Sequence, residues 1–527
     1  MKKEAAFPLL FFILVSSVVH AQQSVADSSS KEPVYILNAK NFYFKQLDPT
    51  TELKILSGDV QLRQGTALFY CDSCVINSSA HLFEAFGNVH INDHDTTNIW
   101  SDNLRYLTDT KIAYFNGHVK MTDGHATLTT TDLTYDVNTK IGTYTNSGRV
   151  INKKSVLTSR EGVYYSDLRD IYFKGNVELK DPAYNLKADS LLYNTETQIA
   201  RFISETHIKD STGRVIRTRE GYYDMANRHA EFYSRSTIED GSLTASADQM
   251  ASNDSSKIIQ MRGRAVMKDT AKGMNVLAEE IFINQKTDAF LATKKPLMIV
   301  KQDNDSIYIA ADTLFSAKLT DLYRNDSAKL QTFHFKEKDS TNRYFEAYRN
   351  VRVFSDSVQS VGDSLFYSFL DSTFRLHYDP VVWSKKSQIT GDTIYLYTKN
   401  KKASRVQSFE NSFMVNEVEP GVYNQIKSSR MDGYFKEGTL DSVRAKGLAE
   451  SIYFIQDEDS AYTGTNQTKS DAIDIYFEKG DLYKVVFRSD LKGTLTPITQ
   501  RSPAEMRLPN FQWLINRRPK TKYELFE

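Results

Sequence analysis

Two residue pairs are the first places to look for chemistry. His90-Ile91-Asn92-Asp93-His94 sets two histidines four positions apart. On a strand they share a face but stand roughly 13 Å apart, too far for one zinc ion unless the chain turns between them. Cys71 and Cys74 form the only C-x-x-C pair, which in an oxidising compartment suggests a disulfide or a redox motif first. Carboxylates could serve as acid and base, and Asp102, Asp132, Asp189, Asp312 and Asp363 stand out because they recur along the chain. A general acid or base repeated in every unit would be odd for an enzyme, so places in turns or at strand ends are expected for them. There is no G-x-S-x-G, no phosphate-binding P-loop and no G-x-G-x-x-G. An enzyme is the least favoured class, and neither catalytic residues, a metal nor a cofactor is expected.

The acids recur because the chain repeats. Ser57-Gly58-Asp59-Val60, Phe86-Gly87-Asn88-Val89, Asn116-Gly117-His118-Val119, Ser147-Gly148-Arg149-Val150 and Lys174-Gly175-Asn176-Val177 place a glycine every 29, 30, 31 and 27 residues. Such a period marks a stacked array whose units cannot bury their apolar faces alone. Between glycines runs an acid followed by apolar residues two and four positions on, as in Asp102-Asn103-Leu104-Arg105-Tyr106. Spacing of two puts Leu104 and Tyr106 on one face of a strand, and Val119 and Met121 likewise. Segments such as Asn138-Thr139-Lys140 supply the polar turns. The repeat is built of β-strands.

Composition agrees: 30 Tyr and 30 Phe against 11 Pro favour strands. With 66 basic and 66 acidic residues the net charge is zero, which argues against a nucleic-acid partner held by phosphate neutralisation. Lys2 and Lys3, the apolar run from Phe7 to Val19, and Val19-His20-Ala21 predict a secretory signal cleaved after Ala21. Gln22 follows rather than cysteine, which argues against a bacterial lipid anchor, so a soluble exported protein is expected. The repeat aligns Cys74 with the inward Leu104 and points Cys71 to the opposite face. Structural thiols are favoured on that ground, with a disulfide across a local bend and redox chemistry left open.

The predicted organisation is a signal peptide at 1–21, a polar linker at 22–33, repeats at 34–318, an insertion or boundary at 319–345, further repeats at 346–490, and a C-terminal segment at 491–527. Ser502-Pro503-Ala504-Glu505 has capping-box spacing with proline at the first helical position, so a short helix is expected there. The aromatic and arginine cluster from Asn510 to Pro519 predicts either a cap over the open end of the array or a docking segment.

Signal, unit length, G-x-V and the A-D-x-L-x-Y mark together resemble the OstA/LptA family of periplasmic lipopolysaccharide-transport proteins, in its long OstA-like form. The clearest stretch is Ser57 to Thr206. The resemblance implies an all-β fold, a repetitive antiparallel β-jellyroll or open V-shaped β-solenoid with acyl chains in the groove between two sheets, and no catalytic residues. It implies a periplasmic protein associated with the outer membrane. Its implied partners are lipopolysaccharide or a related glycolipid, other β-jellyroll transport proteins joined end to end, and the outer-membrane translocon, bridging inner- and outer-membrane machinery. Val89, Ile91, Leu104, Tyr106, Phe115, Val119, Met121, Leu133, Tyr135, Val177, Leu179, Leu191 and Tyr193 would line that groove. About a dozen units of two strands each give a solenoid on the order of 100 Å long. The alternative is a structural or adhesive β-solenoid scaffold whose same strip is a closed core without lipid cargo.

Overall fold

The period-2 pattern folds as alternation predicts, into long antiparallel strands joined by short polar turns. The computed structural model describes residues 32–93, 97–301, 306–332, 339, 341–400, 402–457, 459, 461–478 and 480–526. The predicted signal peptide, nearly all of the predicted polar linker and His94 lie outside the described residues. Among the described residues no helix is long and apolar enough to cross a membrane.

Each full strand crosses two sheets. In Leu82–Asp93, residues 82–86 pair with 103–107 in the first sheet, and residues 89–93 pair with 97–101 in the second. The next strands repeat this, so both sheets grow together and enclose one interior. The ladders continue without a break to the last strands, Asp481–Arg488 on the first sheet and Lys492–Pro497 on the second.

The glycine marks are the corner where a strand leaves one sheet for the other. Gly87 and Asn88 both have positive φ (73° and 44°) and together oppose the single residue Asp102, a β-bulge that bends the strand. Asp102, Asp132, Asp189 and Asp363 line this corner from mid-strand rather than from the turns or strand ends expected of them, whereas Asp312 sits, as expected, between two strand ends, Ala310 and Thr313. Asp102 lies mid-strand in Thr97–Leu107, its carboxylate over Gly117, where an added Cβ would come within 2.4 Å of Oδ2. The residue after the glycine then reaches back: His118 Nδ1 lies 2.7 Å from Asp102 Oδ2, and Asn88 donates to Asp72 at 2.9 Å. Asp132 accepts from Asn146 at 2.9 Å and Asp312 from Asn350 at 3.1 Å, while the Asp363 N–H donates to the Tyr378 carbonyl. Asp189 sits mid-strand in Tyr184–Asn194. Gly148 does a different job, since a Cβ there would meet the Tyr144 ring at 2.4 Å.

The corner also corrects the cysteine reading. The bulge shifts the phase of alternation, so Cys71 and Cys74 both face inward and are buried as free thiols. Their thiols interact: the hydrogen bond from Cys74 lowers the Cys71 pKa, while the same contact and burial raise that of Cys74.

Residues 319–345 join strands that pair directly, Thr313–Ala317 and Tyr344–Phe354, and carry the short helices Leu319–Leu322 and Ser327–Thr332. The C-terminal segment does not cover the end of the array. After a single 3-10 turn at Pro503–Glu505 it doubles back across the outer face of the second sheet. Buried glutamines serve as rungs. Gln425 accepts from the Leu508 N–H and donates to the Met506 carbonyl, both at 2.8 Å. Gln388 does the same for Leu514 (2.8 Å) and Gln512 (2.9 Å). Arg518 donates to Gln359 at 2.9 Å, and Arg352 reaches the Glu524 carbonyl at 2.9 Å. Met506 and Leu508 pack on Phe413, Val415, Ile452 and Phe454, and Leu514 on Val361, Val381 and Trp383.

Candidate functional site

The inward positions of successive strands form one apolar cluster that runs from Leu56 to Phe477. Val89, Ile91, Leu104, Tyr106, Phe115, Val119, Met121, Leu133, Tyr135, Val177, Leu179, Leu191 and Tyr193 all belong to it, and none is more than 2% exposed. Between the sheets the side chains interlock. Phe69, Phe83 and Tyr106 form a triangle with ring centroids 4.8–5.2 Å apart. Tyr144 fills the space opened by Gly148 and Gly162.

Opposite the corner, the two sheets meet at a mouth, and polar side chains latch it across the first half of the array. Tyr106 donates to Gln64 at 2.7 Å, Tyr135 to Asp93 at 3.0 Å and Tyr164 to Asp123 at 2.5 Å. Thr195 donates to the same Asp123 oxygen at 2.8 Å, and Asn152 donates to the Thr195 carbonyl at 2.5 Å. Further along, Arg214 pairs with Asp254 at 2.6 Å and Gln285 donates to Asp240 at 3.1 Å. Burial, then the Asp93 charge, pushes the Tyr135 phenol well above its ordinary pKa, and burial takes Tyr144 up to about 12. Burial alone would raise Asp123, but hydrogen bonds from Tyr164, two backbone N–H groups and Thr195 hold it below its ordinary value. The sequence carries a signal for these latches: the alternation Val89-x-Ile91 ends on Asp93, Val60-x-Leu62 on Gln64, and Val119-x-Met121 on Asp123.

Other candidates fall elsewhere. His90 stacks between Tyr70 and Trp100 (5.4 and 4.8 Å between centroids) with its Nε2 2.9 Å from Asn98 Oδ1. The described residues contain no group of three or more His, Cys, Asp and Glu side chains placed to hold a metal. The hydroxyls of Tyr184 and Tyr193 are buried inside the array with no hydrogen-bond partner.

Two family models match this chain of strands. The OstA-like protein family matches residues 31–189, and the LptA/(LptD N-terminal domain) LPS transport protein family matches residues 158–289. Over residues 31–289 the chain is OstA/LptA-like. The two matches overlap and together span the repeats whose mouth is latched. No match is found among curated proteins. Among solved structures, similarity is found to LptH, the LptA homologous periplasmic component of the conserved lipopolysaccharide transport device from Pseudomonas aeruginosa. That alignment has 16% identity, a TM-score of 0.19, and covers 20% of this chain and 79% of that one. The matched families are ones of lipopolysaccharide transport, and the architecture of this chain is all-β and antiparallel.

Proposed function

We propose that this chain carries lipopolysaccharide or a related glycolipid through the periplasm, with acyl chains sheltered between its sheets. On this reading it joins other β-jellyroll transport proteins end to end, linking inner-membrane machinery to the outer-membrane translocon. The observation that carries the reading is the unbroken interior cluster from Leu56 to Phe477. Each acyl methylene taken from water into such a path is worth about 0.8 kcal/mol, and equivalent neighbouring positions allow sliding without exposure to water. The ends suit joining. Among the described residues Asn41–Asp48 pairs on one side only, and its Phe42 and Phe44 are 54% and 56% exposed where the interior strip runs out. A partner strand added at that edge would continue both the ladder and the strip.

A second reading has its own support. The thirteen candidate lining residues are packed against one another and the mouth is latched, as expected of a scaffold with a closed core. Entry of lipid between the latched sheets of the first half therefore requires the latches to part. Lipid extraction and mass spectrometry of protein purified without detergent distinguishes the two. Lipopolysaccharide or lipid A that is lost in folded Leu104→Asp or Val119→Asp variants supports the conduit. A lipid-free protein that does not bind added lipopolysaccharide leaves the scaffold.

A further inference from the structure

The mouth is not filled along its whole length. Past the insertion, the two sheets stand apart around a cavity of about 180 Å³. Its walls are Val353, Val358, Leu365, Phe374, Leu376 and Leu396, all members of the interior cluster, so the cavity is a widening of the core and not a surface dent. A site of this size lined by Leu, Ile and Phe holds a ligand as large as benzene, which corresponds to the end of an alkyl chain. The cavity opens between the turn at Ser355–Val358 on the second sheet and residues Lys402 and Glu437 on the first. Across this opening Ser357 comes within 3.3 Å of where a Cβ on Gly438 would be. Lys402 is exposed and forms no ion pair among the described residues.

We propose that this cavity is a preformed binding pocket for one acyl chain of an anionic amphiphile, and the lateral port by which that chain reaches the interior. The apolar walls take the alkyl chain, and Lys402 at the rim meets the phosphate or carboxylate of a headgroup that stays in water. The pocket lies beyond residues 31–289, outside both family matches. The identity of the cargo as a glycolipid rests on the conduit reading above, but the pocket itself does not.

The test uses the full chain, a fluorescent long-chain fatty acid, the matching fluorescent alcohol and purified lipopolysaccharide. Leu396→Trp fills the cavity and is expected to weaken fatty-acid binding by about tenfold or more. Leu396→Ala enlarges the cavity and is expected to bind at least as tightly as the parent. Lys402→Glu is expected to weaken the acid and spare the alcohol. If Leu396→Trp does not fold, Ser357→Trp at the rim blocks the same opening. A folded blocking variant that binds fatty acid like the parent overturns the pocket, and if it still binds lipopolysaccharide the conduit reading stands. Fatty acid blocked as expected with no lipopolysaccharide bound upholds the pocket and removes the glycolipid. Binding of neither lipid overturns both, and equal loss of acid and alcohol in Lys402→Glu overturns the headgroup contact.

Discussion

The first and second halves of the array use the same corner, the same ladders and the same inward strip, yet they face water differently. In Thr97–Leu107 only alternate residues are buried, and the outward ones, such as Trp100, are partly exposed. In Val381–Ser384 every residue is buried, because the returning C-terminal segment lies on the outer face. A two-sheet array thus needs only one apolar face per sheet, and a second apolar face signals a chain segment laid over it. The halves also differ at the mouth, which side-chain latches bridge along the first and a cavity widens in the second.

The strongest way to break this contrast is to remove the segment. Deleting residues 502–526 uncovers Val361, Val381, Trp383, Phe413 and Val415 at about 1.5–3 kcal/mol for each large apolar side chain. The expected outcome is a melt split in two, with limited proteolysis digesting the second half and sparing the first. Trp383→Ala, which removes a fully buried ring beneath the segment, should cost about 3–5 kcal/mol. Phe173→Ala should cost as much in the first half, but only the tryptophan change should speed hydrogen exchange in residues 506–518.

Glycine substitution sharpens the corner. Gly117 has φ +82° beneath Asp102, so Gly117→Ala should cost about 1–3 kcal/mol by denaturant unfolding. The second half keeps a glycine corner at Gly447 (φ 81°) but makes another bend without glycine, at Glu410 and Asn411 (φ 55° and 45°), so Glu410→Gly should instead be neutral or stabilise by up to about 1 kcal/mol. Tyr135→Phe removes one latch and should cost about 1 kcal/mol, with faster exchange confined to the first half. The smallest effect is acid sensitivity. Asp123 is held below its ordinary value of 3.8, so the unfolded chain binds its proton first as pH falls. Its contribution is complete above that value and is lost as pH drops through the lower folded pKa. Asp123→Asn should flatten that limb of an acid-unfolding curve.

The strands, their repeat and the inward strip were legible in the sequence, because period-2 burial writes itself directly into residue type. The corner is visible as G-x-V, but the motif alone does not say that the strand bends there. That Asp102 packs over Gly117 is a contact between neighbouring strands, which spacing within one strand does not reveal. The inward face of Cys71 is hidden from the sequence for the same reason, since the bulge changes which face the next residue takes. The latches were written at the ends of the alternation, in Gln64, Asp93 and Asp123, yet their partners lie about forty residues away across the mouth. The course of the C-terminal segment was not legible at all, because Gln359, Gln388 and Gln425 look like ordinary polar strand residues until something lies across them.

The corner bulge has a consequence for length. Each glycine-to-glycine unit is one outward and one returning strand, and every following strand depends on arriving with the correct direction and phase. Loss or gain of a single strand would reverse the direction of all that follow, whereas a whole unit can be added or removed with the pattern intact. Each unit advances the sheets by two strand spacings, about 10 Å. The molecule is in effect a ruler graduated in steps of one hairpin, lengthened or shortened by a whole step when a unit is copied or dropped.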